Sequence, residues 1–175
     1  MKHLKRPARR ALLVVHVAVS VAWLGLSVGL LALGVTAWTT GDPSLTEASY
    51  RAMKVFADWL LAPVALVTLV SGLVLSLGTP WGLARHRWVW IKFWLTLATA
   101  AATVFALRPE IARAAAAGVP DFSLVAAPTV STTAYLFMTA ISVLKPWGPT
   151  RRGRRLRVSA SSAKAVDGRS LRRTA

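Results

Sequence analysis

The sequence predicts an all-α protein, a four-helix transmembrane bundle with both termini on the cytoplasmic side. Three observations lead there. Residues 11–41 hold no ionised side chain, which exceeds the ~20 apolar residues needed to cross a ~30 Å hydrocarbon layer. Three further apolar runs follow, each closed by Pro, Gly or a basic cluster. Lys and Arg, 22 residues against six Asp and Glu, gather beside these runs rather than over a soluble face. That distribution points to membrane orientation and anionic headgroups, and away from nucleic acid.

Composition narrows the chemistry. The 175 residues are 55% hydrophobic and only 16% charged, below the charge of an ordinary soluble domain. No cysteine is present, which excludes disulfides, thiolate metal sites and Cys nucleophiles. No Ser/His/Asp set shares a depth, and no Gly-rich phosphate loop occurs, so hydrolytic catalysis finds no support.

The chain divides into a basic arm (1–10), a four-helix membrane domain (11–147) and a basic tail (148–175) too poor in apolar residues to fold alone. The first helix is expected over about 11–38, with Trp38 as an interfacial anchor. Its basic start and Val35-Thr36-Ala37 imitate a cleaved signal, and Arg9-Arg10 a twin-arginine one. The run is about twice the 7–15 residues of a signal h-region, so the helix reads as retained. Gly41-Asp42-Pro43-Ser44 breaks it, and residues 45–53 read as a loop or short surface helix.

The second helix is expected over about 54–77, with Lys54 and Asp58 one turn apart and Pro63 as a kink. Gly78 to Gly82 ends it, before the basic loop of Arg85, His86 and Arg87. The third helix is expected over about 88–107, closed by Arg108-Pro109, with a short Ala-rich helix after it. The fourth is expected over about 122–144, stopped by Lys145-Pro146-Trp147-Gly148-Pro149.

With four spans the arm, the 78–88 loop and the tail share one side, and together (counting Lys92) they hold 18 of the 22 Lys and Arg. The other side holds five of the six acids. The positive-inside rule then places both termini in the cytoplasm. Arg151, Arg152, Arg154, Arg155 and Arg157 would tether the tail to anionic inner-leaflet lipid, at ~1 kcal/mol per residue.

Helical periodicity assigns faces. His16, Ser20, Trp23 and Ser27 form a polar-aromatic stripe on the first helix. Ala18, Ala22, Gly25 and Gly29 form a small-residue stripe opposite it. Gly25-x3-Gly29 permits a close helix approach, within the chain or in a homodimer. The second helix offers Asp58, Ala62, Ala65, Gly72 and Ser76, the third Trp88, Lys92, Thr96, Thr99 and Thr103. The fourth offers Thr132, Tyr135, Thr139 and Ser142, with Met138 beside them. Turned inward, these stripes make a hydroxyl-lined interior.

His16 and Lys92 fall at similar depths, ~7 and ~6 Å inside their helices at 1.5 Å per residue. Each has two readings. Lys92 either snorkels to the headgroups or faces inward. His16 is either an imidazole hydrogen-bonded between helices, or a proton-handling group or axial ligand to a haem or other metal. Met138 is the one candidate for a sixth ligand.

Two patterns carry a resemblance: His16-x6-Trp23-x-Gly25 and Trp88-x3-Lys92. They resemble the signatures of HemJ-type protoporphyrinogen oxidases and of CopD-like membrane domains. Over roughly residues 10–150 the chain looks most like an uncharacterised actinobacterial integral membrane family. The resemblance implies a multi-pass bundle of the bacterial cytoplasmic membrane in which His16 and Lys92 face each other. It also implies His16, Lys92, Trp23 and Trp88 as cofactor-binding residues, His16 as metal ligand and haem b as cofactor. Where HemJ-type proteins carry further membrane histidines, this chain has His16 alone. Three functions therefore stand side by side: a packing or partner-binding bundle, a haem-associated redox protein, and a subunit of a transporter or channel.

Overall fold

The computed structural model describes residues 5–78, 86–145, 147, 148, 150, 154 and 155. They are helical throughout, without a strand. Four helices are long and apolar enough to cross a membrane: α1 (Arg6–Thr39), α2 (Pro43–Gly78), α3 (Arg87–Ala117) and α4 (Ser123–Leu144). At 1.5 Å per residue the first three run to ~45–55 Å and α4 to ~33 Å, so α1 to α3 overshoot a ~30 Å hydrocarbon layer.

Two expected boundaries give way. Residues 45–53 are neither a loop nor a separate helix, because α2 begins at Pro43 and runs unbroken into the second span. Arg108-Pro109 does not close the third helix, which continues to Ala117. The physical reason is the same in both helices. α2 contains one π-turn at Ala57–Leu61 and α3 another at Thr103–Leu107, each ending two residues before a proline, Pro63 or Pro109. A helical proline has no N–H and its ring crowds the carbonyl four residues earlier. The wider π-turn spreads the chain at that carbonyl, so the helix passes the proline instead of stopping. The first helix likewise starts at Arg6, with Pro7 in its first turn, where a missing N–H is no loss. The break at residues 79–82, Arg85, and Arg151, Arg152 and Arg157 lie outside the described residues; Arg154 and Arg155 are exposed.

The extra turns of α2 and α3 pack on each other and form a cap at the end remote from the N-terminus. Tyr50, Met53 and Ile111 are fully buried there. The Asp42 carboxylate accepts from the Ser44 hydroxyl and backbone N–H (both 2.9 Å), which opens α2 and holds the carboxyl below its ordinary range. Gly118, at φ 67, closes α3 in the left-handed region that glycine tolerates. Asp121 then donates its backbone N–H to the Tyr50 hydroxyl at 2.8 Å. Its carboxyl is held low by the Ser123 hydroxyl and N–H. Lys54–Asp58 (2.5 Å), Arg108–Asp58 (3.3 Å) and Arg113–Glu110 ion pairs rim this cap.

α1 is the central rod, packed along α4, α2 and the cap. Its expected inward stripe is observed, with Trp23 and Ser27 buried, whereas Ala18, Ala22 and Gly25 are exposed. Trp23 stacks on Tyr135 of α4 at 4.8 Å and 45°, a contact of ~0.5–1.5 kcal/mol beyond its burial. Where the apolar effect does not drive helices together, as in lipid, close contacts of this kind carry the association. The tightest lies at Gly34. Pro128 has no N–H for the Leu124 carbonyl, and that carbonyl points at Gly34, where a side-chain carbon would collide with it.

The interior hydroxyls do not form a continuous polar path. Thr68, Ser76, Thr96, Thr99 and Thr103 each donate to a carbonyl one turn back in their own helix, at 2.8 Å. Thr139 departs from its expected face: it is exposed, and it bonds back to Tyr135 at 2.9 Å.

Candidate functional site

Near the end that carries the N-terminus, α1 to α4 part around a cavity of about 470 Å³. Its size is that of small-molecule sites, and its walls are largely apolar. α1 contributes Leu13, His16 and Val17, and α2 contributes Thr68, Leu69, Gly72 and Leu73. α3 supplies Trp88, Lys92, Phe93 and Thr96, and α4 adds Ser142. Arg9 and Lys145 also line it.

His16 is held on two sides. Its Nδ1 lies 2.9 Å from the Ser71 hydroxyl, and Ser71 donates its own proton to the Thr68 carbonyl at 3.2 Å. With its proton so directed, the Ser71 oxygen can accept from a hydrogen on His16 Nδ1, the tautomer that leaves the lone pair on Nε2. Gly72 makes room for the ring, since a side-chain carbon there would stand 3.0 Å from Cε1. The spacing of Ser71 and Gly72 on α2, one turn beyond Thr68, therefore builds the imidazole seat.

Lys92 is held by the same device from the other side. Its Nζ donates to the Ser142 hydroxyl at 2.7 Å, and Ser142 donates to the Met138 carbonyl at 2.6 Å. The hydroxyl is thus an oriented acceptor for an ammonium drawn into the bundle. Of the two readings of Lys92, the inward one is observed. Each basic group faces a serine whose proton is used elsewhere, and neither has a carboxylate beside it on the cavity wall.

The structure brings His16, Lys92 and Trp88 to one cavity and leaves Trp23 out of it. Trp23 lies on the same face of α1 as His16 but ~10 Å further along the helix, in the core against Tyr135. Met138 stays out as well: it is buried, and its sulfur lies 3.4 Å from the Thr96 hydroxyl oxygen. Gly25 faces open space, and Gly29 lies 3.8 Å (from its would-be Cβ) from Phe56 of the same chain. Sequence reasoning missed Ser71, Arg9 and Lys145 as parts of the site. Ser71 was within reach, being one position from Gly72 on the predicted inner face.

Among the described residues no group of three or more His, Cys, Asp and Glu stands close enough to hold a metal ion. A site with one protein ligand remains, on His16 Nε2. Comparison with protein-family models, with curated proteins and with solved structures finds no match to any of them.

Proposed function

We propose that the chain is a multi-pass protein of the bacterial cytoplasmic membrane that holds a small amphiphilic molecule between its helices, with both termini in the cytoplasm. One observation carries the reading: a histidine and a lysine from separate helices, each seated by its own serine, share a cavity whose other walls are mostly apolar. A basic group inside a membrane span is a cost unless something uses it. Simple packing would fill such a space with side chains, and snorkelling would turn Lys92 outward.

The topology is tested with single cysteines, which the native sequence lacks. Ala48→Cys, exposed at the far cap, is expected to react with a membrane-impermeant maleimide on intact cells. Ala8→Cys, exposed near the N-terminus, is expected to react only after lysis. The reverse pattern overturns the orientation, and labelling of both on intact cells overturns the membrane reading.

A second reading is supported by the contact of His16 Nδ1 with the Ser71 hydroxyl. A ring with its Nδ1–H bonded to a hydroxyl presents Nε2 as a metal ligand, the arrangement that orients ligating imidazoles elsewhere. The donor set fits a haem b: His16 would ligate its iron, and Lys92 and Arg9 would meet its acidic edge. Such a group would supply one-electron redox chemistry, while the chain would orient it and exclude water. Purification from haem-replete cells into mild detergent, with a reduced-minus-oxidised spectrum, is the measurement. A Soret band lost in His16→Ala is the expected result on this reading. A colourless preparation removes it and leaves the ligand-holding bundle standing.

A further inference from the structure

The cavity has a sign. Arg9, His16, Lys92 and Lys145 line it, and among the described residues no Asp or Glu does. It also has a direction. Arg9 and Lys145 are exposed at the rim, where α1 begins and α4 ends, while His16 and Lys92 stand deeper and half-buried. Lys145 is held there in the left-handed backbone region (φ 47), unique among the described non-glycine residues. Two apolar wall residues, Leu13 and Val17, are 48% and 52% exposed, so the cavity is open beside them on α1. The cavity therefore has an accessible apolar edge along α1, which would meet hydrocarbon in the proposed membrane setting, and a cationic rim.

From this geometry we infer that the cavity binds an anionic membrane lipid, its acidic headgroup among Arg9, Lys92 and Lys145 and its chain along Leu13, Val17 and Phe93. The inference rests on the membrane orientation proposed above, which puts the rim at the inner leaflet, where anionic lipid faces basic residues. The ammonium and guanidinium donors meet phosphate oxygens with charge-assisted hydrogen bonds. The apolar wall takes a chain that is already in hydrocarbon, so the chain sets position and the headgroup sets preference. Such a site differs from the diffuse pull of the basic tail, because Lys92 lies within a span and reaches only a headgroup drawn into the bundle.

The test uses the full chain in phosphatidylcholine nanodiscs doped with phosphatidylglycerol, read by native mass spectrometry of retained lipid. One phosphatidylglycerol is expected to be retained in preference to phosphatidylcholine. Arg9→Gln and Lys92→Gln are each expected to reduce that preference about fivefold. Arg9 is exposed, so its variant reports even if the buried one fails to fold. Arg51→Gln, at the far cap, is expected to leave the preference unchanged. Equal retention of the two lipids overturns the inference. So does a preference abolished by Arg154→Gln with Arg155→Gln but untouched at Arg9 and Lys92, which would assign it to the tail. Displacement of the lipid by inorganic phosphate alone would make the headgroup a sufficient ligand and overturn the lipid reading. The cysteine labelling above is independent of these outcomes, so a failed lipid site and a failed membrane orientation are distinguishable.

Discussion

Gly34→Ala is expected to destabilise the bundle, and Gly25→Ala, nine residues earlier on the same helix, is not. At Gly34 the added carbon meets the Leu124 carbonyl head-on, and neither partner is the flexible end of a side chain. Both are backbone of long helices, α1 and α4, whose axes would have to separate. Pro128 leaves that carbonyl without its helical donor. The glycine Cα–H beside it gives a weak replacement of ~0.5–1 kcal/mol, which a moved helix forfeits. Overpacking of a close contact costs ~1–3 kcal/mol, so the expected loss at Gly34 lies at the upper end of that range or beyond. At Gly25 nothing stands within 4 Å of the added carbon, and exchanging helical Gly for Ala gains up to ~1 kcal/mol. The sign should therefore reverse between two chemically identical substitutions. Thermal unfolding in detergent, followed by circular dichroism, reads both. Equal effects would mean that α1 and α4 do not meet at Gly34. Loss of a dimer in Gly25→Ala, seen by light scattering, would instead reveal a second copy on the exposed small-residue stripe.

The contrast also marks what sequence reasoning reaches. Periodicity finds the inward face of α1, since His16, Trp23 and Ser27 recur at helical spacing and the structure turns them inward. It does not find which residues meet along that face. Trp23 shares the face of His16 and a different level of the bundle, and only the partner helix decides that Tyr135 rather than the cavity receives it. Gly34 carries no motif, because its partner is a carbonyl exposed by a proline in another helix. Proline rules misplace the helix ends for a related reason. They treat Pro109 as a stop, whereas a π-turn at Thr103–Leu107 lets the chain carry on. The matching π-turn before Pro63 shows the same solution in α2. The sequence sign of that solution is weak, since any apolar run before a proline would look alike. His16 and Lys92 were legible as a pair because a charged or ionisable side chain in a span is rare enough to stand out. Their serines were not, since hydroxyls are frequent on all four inner faces.

Gly72→Leu is expected to fill the cavity while leaving Arg9, Lys92 and Lys145 in place. Gly72 lies against the Cε1 corner of the His16 ring, where even a first side-chain carbon would come to 3.0 Å. Leucine adds three more carbons, and α2 cannot retreat because Leu61 and Ala65 are locked in the core. Two outcomes are open to the ring: it yields and loses the 2.9 Å contact with Ser71, or the new side chain turns into the cavity. Either way the ligand space contracts, and occupancy by lipid should fall at least ~10-fold, equivalent to ~1.4 kcal/mol. Stability should fall less, because the leucine occupies space that is already open and only the imidazole is displaced. This separates Gly72 from Gly34: one substitution removes binding from a folded bundle, the other removes the bundle. The lipid retention and the thermal transition, measured on the same preparation, decide it. A Gly72→Leu protein that keeps its lipid preference would show that the ligand does not occupy the space beside His16. Lys92→Met gives the complementary result, since it keeps the volume, removes the charge, and should reduce the preference for an anionic headgroup about fivefold without closing the cavity.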